Sequence, residues 1–166
     1  MKITHVFMVV AVLVIAPSGW GATTSQTLDA IRRVETSDAV HPEPGDHGAS
    51  IGPYQIKREY FNDARPFLSK ADQKRPYGAV MEVGFARRVV VAYWKRYCPR
   101  ALGQANVRVL SGTHNGGPAG GHRKRTLGYT KRVVKALSSN GSHKVHTVNP
   151  RVKRLGTRSH SRHRRR

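Results

Sequence analysis

The sequence predicts a mainly α-helical domain with little or no β-sheet. Three observations carry that expectation. Apolar residues recur at three- and four-residue spacing in several stretches. Glycine and proline gather between those stretches and mark loops. The valine-rich run that resembles a strand is too long for one, and its length favours a helix. The expected architecture is a compact bundle of about five helices around one core.

The first segment, residues 1–22, reads as a secretory signal peptide. It has a basic start at Lys2, an apolar run from Val6 to Ala16 and small residues near Gly19 to Ala22. The apolar run falls short of the roughly 20 residues a membrane span needs, so no stable transmembrane segment is expected after processing. The predicted location is secreted, periplasmic or in the cell envelope.

The domain is expected over residues 23–137. In SQTLDAIRRVETSD, Leu28, Ile31 and Val34 keep helical spacing, and Ser25 or Thr27 is placed to cap the start. Glu35 falls in the last turn of this helix, beside the apolar stripe, where a carboxylate opposes the helix dipole. The run HPEPGDHGAS is a loop. YQIKREYFNDA reads as helix with Ile56, Tyr60 and Phe61 turned inward. Residues 79–97 make the strongest helix, with Val83, Ala86, Val90, Tyr93 and Tyr97 in one stripe and Pro99 as its stop. Trp94 falls off that stripe and is the aromatic best placed to be exposed. A shorter helix over residues 102–111 leads into GTHNGGPAGGHRKR, whose five glycines and proline predict a loop. Thr126 is expected to cap the helix TLGYTKRVVKAL. Residues 138–166 carry nine Lys or Arg and four His with few apolar residues, the composition of a disordered polybasic tail.

Charge divides the chain. All nine acidic residues lie at or before Glu82, and the remaining sequence holds 21 basic residues and no acid. Such a surface attracts polyanions: anionic cell-wall polymers, anionic lipid or, non-specifically, nucleic acid. The single cysteine, Cys98, excludes an internal disulfide, so the fold rests on its hydrophobic core. No cofactor and no metal site are implied.

Two carboxylates in unlike surroundings carry the chemistry. Glycoside hydrolysis uses one carboxyl held protonated as general acid and one held ionised as nucleophile or electrostatic stabiliser. Glu35 borders an apolar face, which raises a carboxyl pKa. Asp46 sits in the stretch GDHGASIGPYQIK among flexible residues and backbone N–H groups, which keep it ionised.

The motifs together resemble the invertebrate-type lysozyme family, also called the destabilase family. The matching residues are Glu35 in VETSD, Asp46 with GASIGPYQIK, Tyr60, AYWKRY from Ala92, HNGGP from His114 and TLGYTKRV from Thr126. The resemblance implies an α-rich lysozyme-like fold and muramidase activity on the β-1,4 bond between N-acetylmuramic acid and N-acetylglucosamine of peptidoglycan. It implies Glu35 and Asp46 as the catalytic pair and Tyr54, Gln55, His114 and Asn115 as substrate-binding residues. Some family members also cleave isopeptide bonds, for which Ser50 and His114 are the candidates here. The chain departs from the family in three places. The usual cysteine before GPYQIK is Ile51, another common cysteine position is Ala64, and the chain is one residue shorter between Asp46 and GPYQ. These departures imply a disulfide-free, bacterial relative.

Two other functions compete. A lytic transglycosylase needs only Glu35, because the substrate's own 6-hydroxyl replaces water. A non-enzymatic cell-wall or polyanion binder would work through the basic tail.

Overall fold

A computed structural model describes residues 21–140. The signal-peptide expectation, apart from its last two residues, lies outside the described residues, as does the tail from residue 141 onward. Within them the chain is mainly helical, as the sequence predicts. The helices are α1 (Thr24–Thr36), α2 (Arg58–Ala64), α3 (Lys70–Gln73), α4 (Val83–Tyr97), α5 (Pro99–Gly103), α6 (Val107–Gly116) and α7 (Leu127–Asn140). One small antiparallel hairpin, β1 (Ser50–Ile51) with β2 (Ile56–Lys57), interrupts the helical order between α1 and α2. The helices number more than five because short ones follow proline or turn residues.

Helix α1 starts two to four residues earlier than Ser25 or Thr27 would place it. Thr23 is the N-cap: its hydroxyl accepts from the Gln26 N–H at 3.1 Å, and the Gln26 side chain accepts from the Thr23 N–H at 2.7 Å. The Thr27 hydroxyl is buried and donates to the Thr23 carbonyl instead. Leu28, Ala30 and Ile31 face the core. The helix stops at Ser37, which takes a left-handed backbone (φ 52°) and ties its N–H to the Arg33 carbonyl.

Helix α4 is the centre of the core. It buries Phe85, Ala86, Val89, Val90, Ala92, Tyr93 and Trp94, a wider band than the expected stripe. Trp94 is fully buried and donates its indole N–H to the Leu110 carbonyl at 3.0 Å, so the expectation of an exposed Trp94 is overturned. A tryptophan so placed has both an apolar body to bury and a partner for its polar edge. The expected helical start at residue 79 is a 3-10 segment, Tyr77–Met81, ahead of the α-helix. Likewise, the front of YQIKREYFNDA is the strand β2, and helix begins at Arg58.

The largest difference from the sequence reading lies at THNG. Residues 113–116 form the last turn of α6 and not a loop. Their glycines serve packing. A Cβ on Gly112 would sit 2.8 Å from the Gly121 Cα, and one on Gly116 would sit 2.5 Å from a Thr126 methyl. A Cβ on Gly120 would meet the Gly112 carbonyl oxygen at 2.0 Å. The bare backbone therefore lets the Gly120–His122 turn lie against α6. Thr126 does not cap α7: its hydroxyl donates to the Gly120 and Arg123 carbonyls and locks this same turn. Helix α7 then continues through Ser138 and Ser139 to Asn140, past the expected end at residue 137. It packs on α1 and α6, and Arg33 of α1 reaches the Ala136 carbonyl.

Both positions where the family carries cysteine are packed here. Ala64 is fully buried and Ile51 lies partly buried against the core. Cys98 is a half-buried free thiol, whose pKa burial pushes up. No helix of the described residues is long and apolar enough to cross a membrane.

Candidate active site

Helix α1 delivers Glu35 at its C-terminal turn, α6 delivers His114 at its own, and α7 delivers Tyr129 in its first turn. The three side chains meet. The Tyr129 hydroxyl donates to Glu35 Oε1 at 2.6 Å, and His114 Nε2 stands 3.4 Å from the same oxygen. Behind the imidazole, Nδ1 lies 3.2 Å from the Tyr60 hydroxyl, and the Tyr60 ring stacks on Tyr93 with centroids 3.6 Å apart. Glu35 Oε2 makes no hydrogen bond among the described residues. It is also absent from the buried unpartnered atoms, of which Arg32 Nε is the only one described. Oε2 is therefore the oxygen open to solvent.

Glu35 lines a cleft of about 870 Å³. Glu35, His114 and Asn115 line it from the helices, and Asp46, Ser50, Gln55 and Lys57 line it from the loop and hairpin. Glu59, Tyr60, Asp63 and Tyr93 also line it. The structure thus brings Glu35 and Asp46 to one cleft, with unlike surroundings.

The loop that carries Asp46 is built by backbone strain and one glutamine. Asp46, His47 and Gln55 all have positive φ (49°, 55° and 46°), which costs a non-glycine residue and needs support from outside. Gln55 supplies it: its amide N–H₂ donates to the Glu43 and Gly52 carbonyls, and its Oε1 accepts from the Ser50 hydroxyl. Gly45 must be glycine for this brace, since a Cβ there would stand 2.3 Å from Gln55 Oε1.

The electrostatics of the two carboxyls differ from the sequence expectation in one respect. For Glu35, burial raises the pKa, as expected from its apolar surroundings. The His114 hydrogen bond and charge and the Tyr129 hydrogen bond outweigh it, and the net direction is down. Asp46 is held below its ordinary value by Lys57, whose ammonium sits 2.7 Å away, so it is ionised as expected. Lys57 was not foreseen as its partner. Tyr129 stays protonated, because burial and the Glu35 charge push its pKa well up.

The other expected site residues separate. Asn115 is exposed in the cleft, and Gln55 lines it while serving as the loop brace. Tyr54 does not line the cleft. It is fully buried beneath it, with its hydroxyl toward Arg87 at 3.4 Å, so its place is in the core and not against a ligand. Ser50 and His114 do not form a nucleophile–base pair: Ser50 donates to Gln55, and both ring nitrogens of His114 are taken by Glu35 and Tyr60. Among the described residues no group of three or more His, Cys, Asp and Glu is placed to hold a metal ion. The sequence signal for Tyr129 was the TLGYT motif itself. Nothing in it told that the tyrosine would reach back across 94 residues to Glu35.

A helical domain whose cleft sets a caged carboxyl against an exposed one defines the class: an α-rich, lysozyme-like domain. No family model matches the chain. Over 95 residues it is 34% identical to Invertebrate-type lysozyme 2 of Caenorhabditis elegans. That alignment spans 51% of this chain and 64% of the relative, just under two thirds of its length. A chain of the crystal structure of Aeromonas hydrophila PliI in complex with Meretrix lusoria lysozyme has a similar fold. The TM-score is 0.53 at 26% identity, covering 68% of this chain and 89% of that one. The chain is therefore similar to invertebrate-type lysozyme over part of that relative's length and shares a fold with a chain of the lysozyme complex.

Proposed function

We propose that this protein is a peptidoglycan hydrolase, a lysozyme that cleaves the β-1,4 bond between N-acetylmuramic acid and N-acetylglucosamine. The observation that carries the reading is the pairing of Glu35 and Asp46 across one cleft in unlike environments. Glu35 Oε2 donates the proton to the leaving glycosidic oxygen. Oε1, already holding the Tyr129 hydroxyl, stabilises the carboxylate that remains. Asp46, ionised, meets the oxocarbenium charge or forms the covalent bond. Bound glycan expels water from around Glu35 and adds to the burial that favours its protonated form, countering His114 and Tyr129. Asn115 is positioned to bond an N-acetyl amide. The chain works outside the cytoplasm on the cell wall, and its basic tail holds it to anionic wall polymers or lipids.

One observation favours a second reading. Asp46 is bound to Lys57, which neutralises part of the charge a nucleophile needs. A lytic transglycosylase would need Glu35 alone. Clearing of purified peptidoglycan by wild type, Glu35→Gln and Asp46→Asn separates the possibilities. We expect Glu35→Gln to lose activity by at least 10²-fold, the usual worth of a positioned acid. Asp46→Asn should fall comparably in a hydrolase and little in a transglycosylase, whose products would carry 1,6-anhydro ends by mass spectrometry. Full clearing by Glu35→Gln would sink both enzymatic readings.

A further inference from the structure

Glu35 Oε1 is shared by two groups of different kinds. The Tyr129 hydroxyl is a neutral donor at every pH where the fold persists, whereas the imidazole of His114 changes charge. Both the His114 and Glu35 side chains are largely withdrawn from water (4% and 19% exposed), so solvent screens their interaction poorly. The Tyr60 hydroxyl at Nδ1 accommodates either state of the ring. It donates to Nδ1 of the neutral imidazole, leaving the Nε2 proton toward Glu35, and it accepts from Nδ1–H of the imidazolium. Stacking on Tyr93 fixes the Tyr60 ring for both.

We propose that His114 is a pH-dependent brake on Glu35 as proton donor. The proposal rests on the reading of Glu35 as general acid. With one proton bound, the pair is either imidazolium with carboxylate or imidazole with carboxylic acid. Only the second form hands a proton to a glycosidic oxygen, and it leaves a carboxylate behind. As pH falls and the imidazolium forms, its charge holds Glu35 ionised. The share of the acid form then stops rising where an isolated carboxyl would go on collecting protons.

The neighbours do not supply this dependence. From α7, Arg132 keeps its charge throughout and Tyr129 keeps its proton. From α2, Tyr60 stays neutral, while Glu59 and Asp63 line the cleft farther along. Asp46 is matched by Lys57, and His41 lies exposed at the cleft edge. His114 is therefore a positioning residue with a charge switch.

The test is the pH profile of kcat/KM on soluble glycan fragments for wild type, His114→Gln and Tyr60→Phe, from pH 8 to pH 5. Glutamine keeps a donor near the Nε2 position without the titration. The ratio of His114→Gln to wild-type activity should rise about tenfold across that range, the effect of a coupling of one pKa unit. Tyr60→Phe, which removes the acceptor that the imidazolium needs, should move the ratio the same way. Carbon NMR of the Glu35 carboxyl gives a readout free of activity. The carboxyl should titrate at higher pH in His114→Gln than in wild type. A flat activity ratio, or an unmoved carboxyl, overturns the proposal. Retained activity in Glu35→Gln would overturn the functional reading instead, and the NMR result would stand apart from it.

Discussion

Tyr129 shows what a single buried contact decides. Its hydroxyl, 2.6 Å from Glu35 Oε1, makes a charge-assisted bond to a largely buried carboxylate. It helps hold the Glu35 carboxyl below its ordinary range despite burial. A carboxyl lowered in the folded state contributes stability above its unfolded pKa, and that stability is lost as pH falls through the folded value. Tyr129→Phe should therefore cost about 1.5–3 kcal/mol at pH 7, typical of a bond to a charged group, and less at an acid pH low enough to protonate Glu35. Denaturant melts at the two pH values measure this; an equal loss at both would show that the bond to ionised Glu35 is not the source. Glu35 itself was legible in the sequence as a carboxylate in an awkward place, at a helix end beside apolar residues. Its net pKa direction was not, because that depends on two side chains far along the chain.

At the scale of elements, α6 and the Gly120–His122 turn make the clearest case. Sequence composition marks Gly112 to Gly121 as a loop, since glycine and proline usually do mark loops. The helix persists to Gly116 because Gly112 faces the Gly120–Gly121 backbone and Gly116 the Thr126 methyl at contact distance, and tertiary packing offsets their low helix propensity. Gly120→Ala should cost about 1–3 kcal/mol through overpacking. It should also disturb the last turn of α6, and with it His114 and Asn115. A thermal melt with a parallel glycan-binding titration checks both, and a variant of wild-type stability would show that the turn has slack. Helix α4, by contrast, was expected as the strongest helix, and it forms over Val83–Tyr97, because its apolar residues are periodic and its length exceeds that of any strand. Its Trp94 was misplaced by a stripe drawn too narrow, and its start was set four residues early.

For the whole molecule, charge asymmetry outlasts the tail. Within residues 83–140 there are twelve Lys or Arg and no acid, so the folded domain is basic on its own. Cutting after Asn140, where α7 ends, removes nine more Lys or Arg. The truncated protein should pellet less with wall sacculi that carry anionic polymer, and its retention should fall less steeply with added salt. Clearing of soluble fragments should survive the cut. Unchanged retention at every salt concentration would locate wall binding in the domain alone. The sequence by itself determined the helical class, the two carboxylates, the absence of disulfides and the sign of the surface. All of these follow from composition and local spacing. The cage around Glu35, the Lys57 clamp on Asp46, the burial of Tyr54 and the helical end of α6 were decided by tertiary structure. Each joins residues distant in sequence or depends on packing, and no local pattern encodes which distant group will arrive.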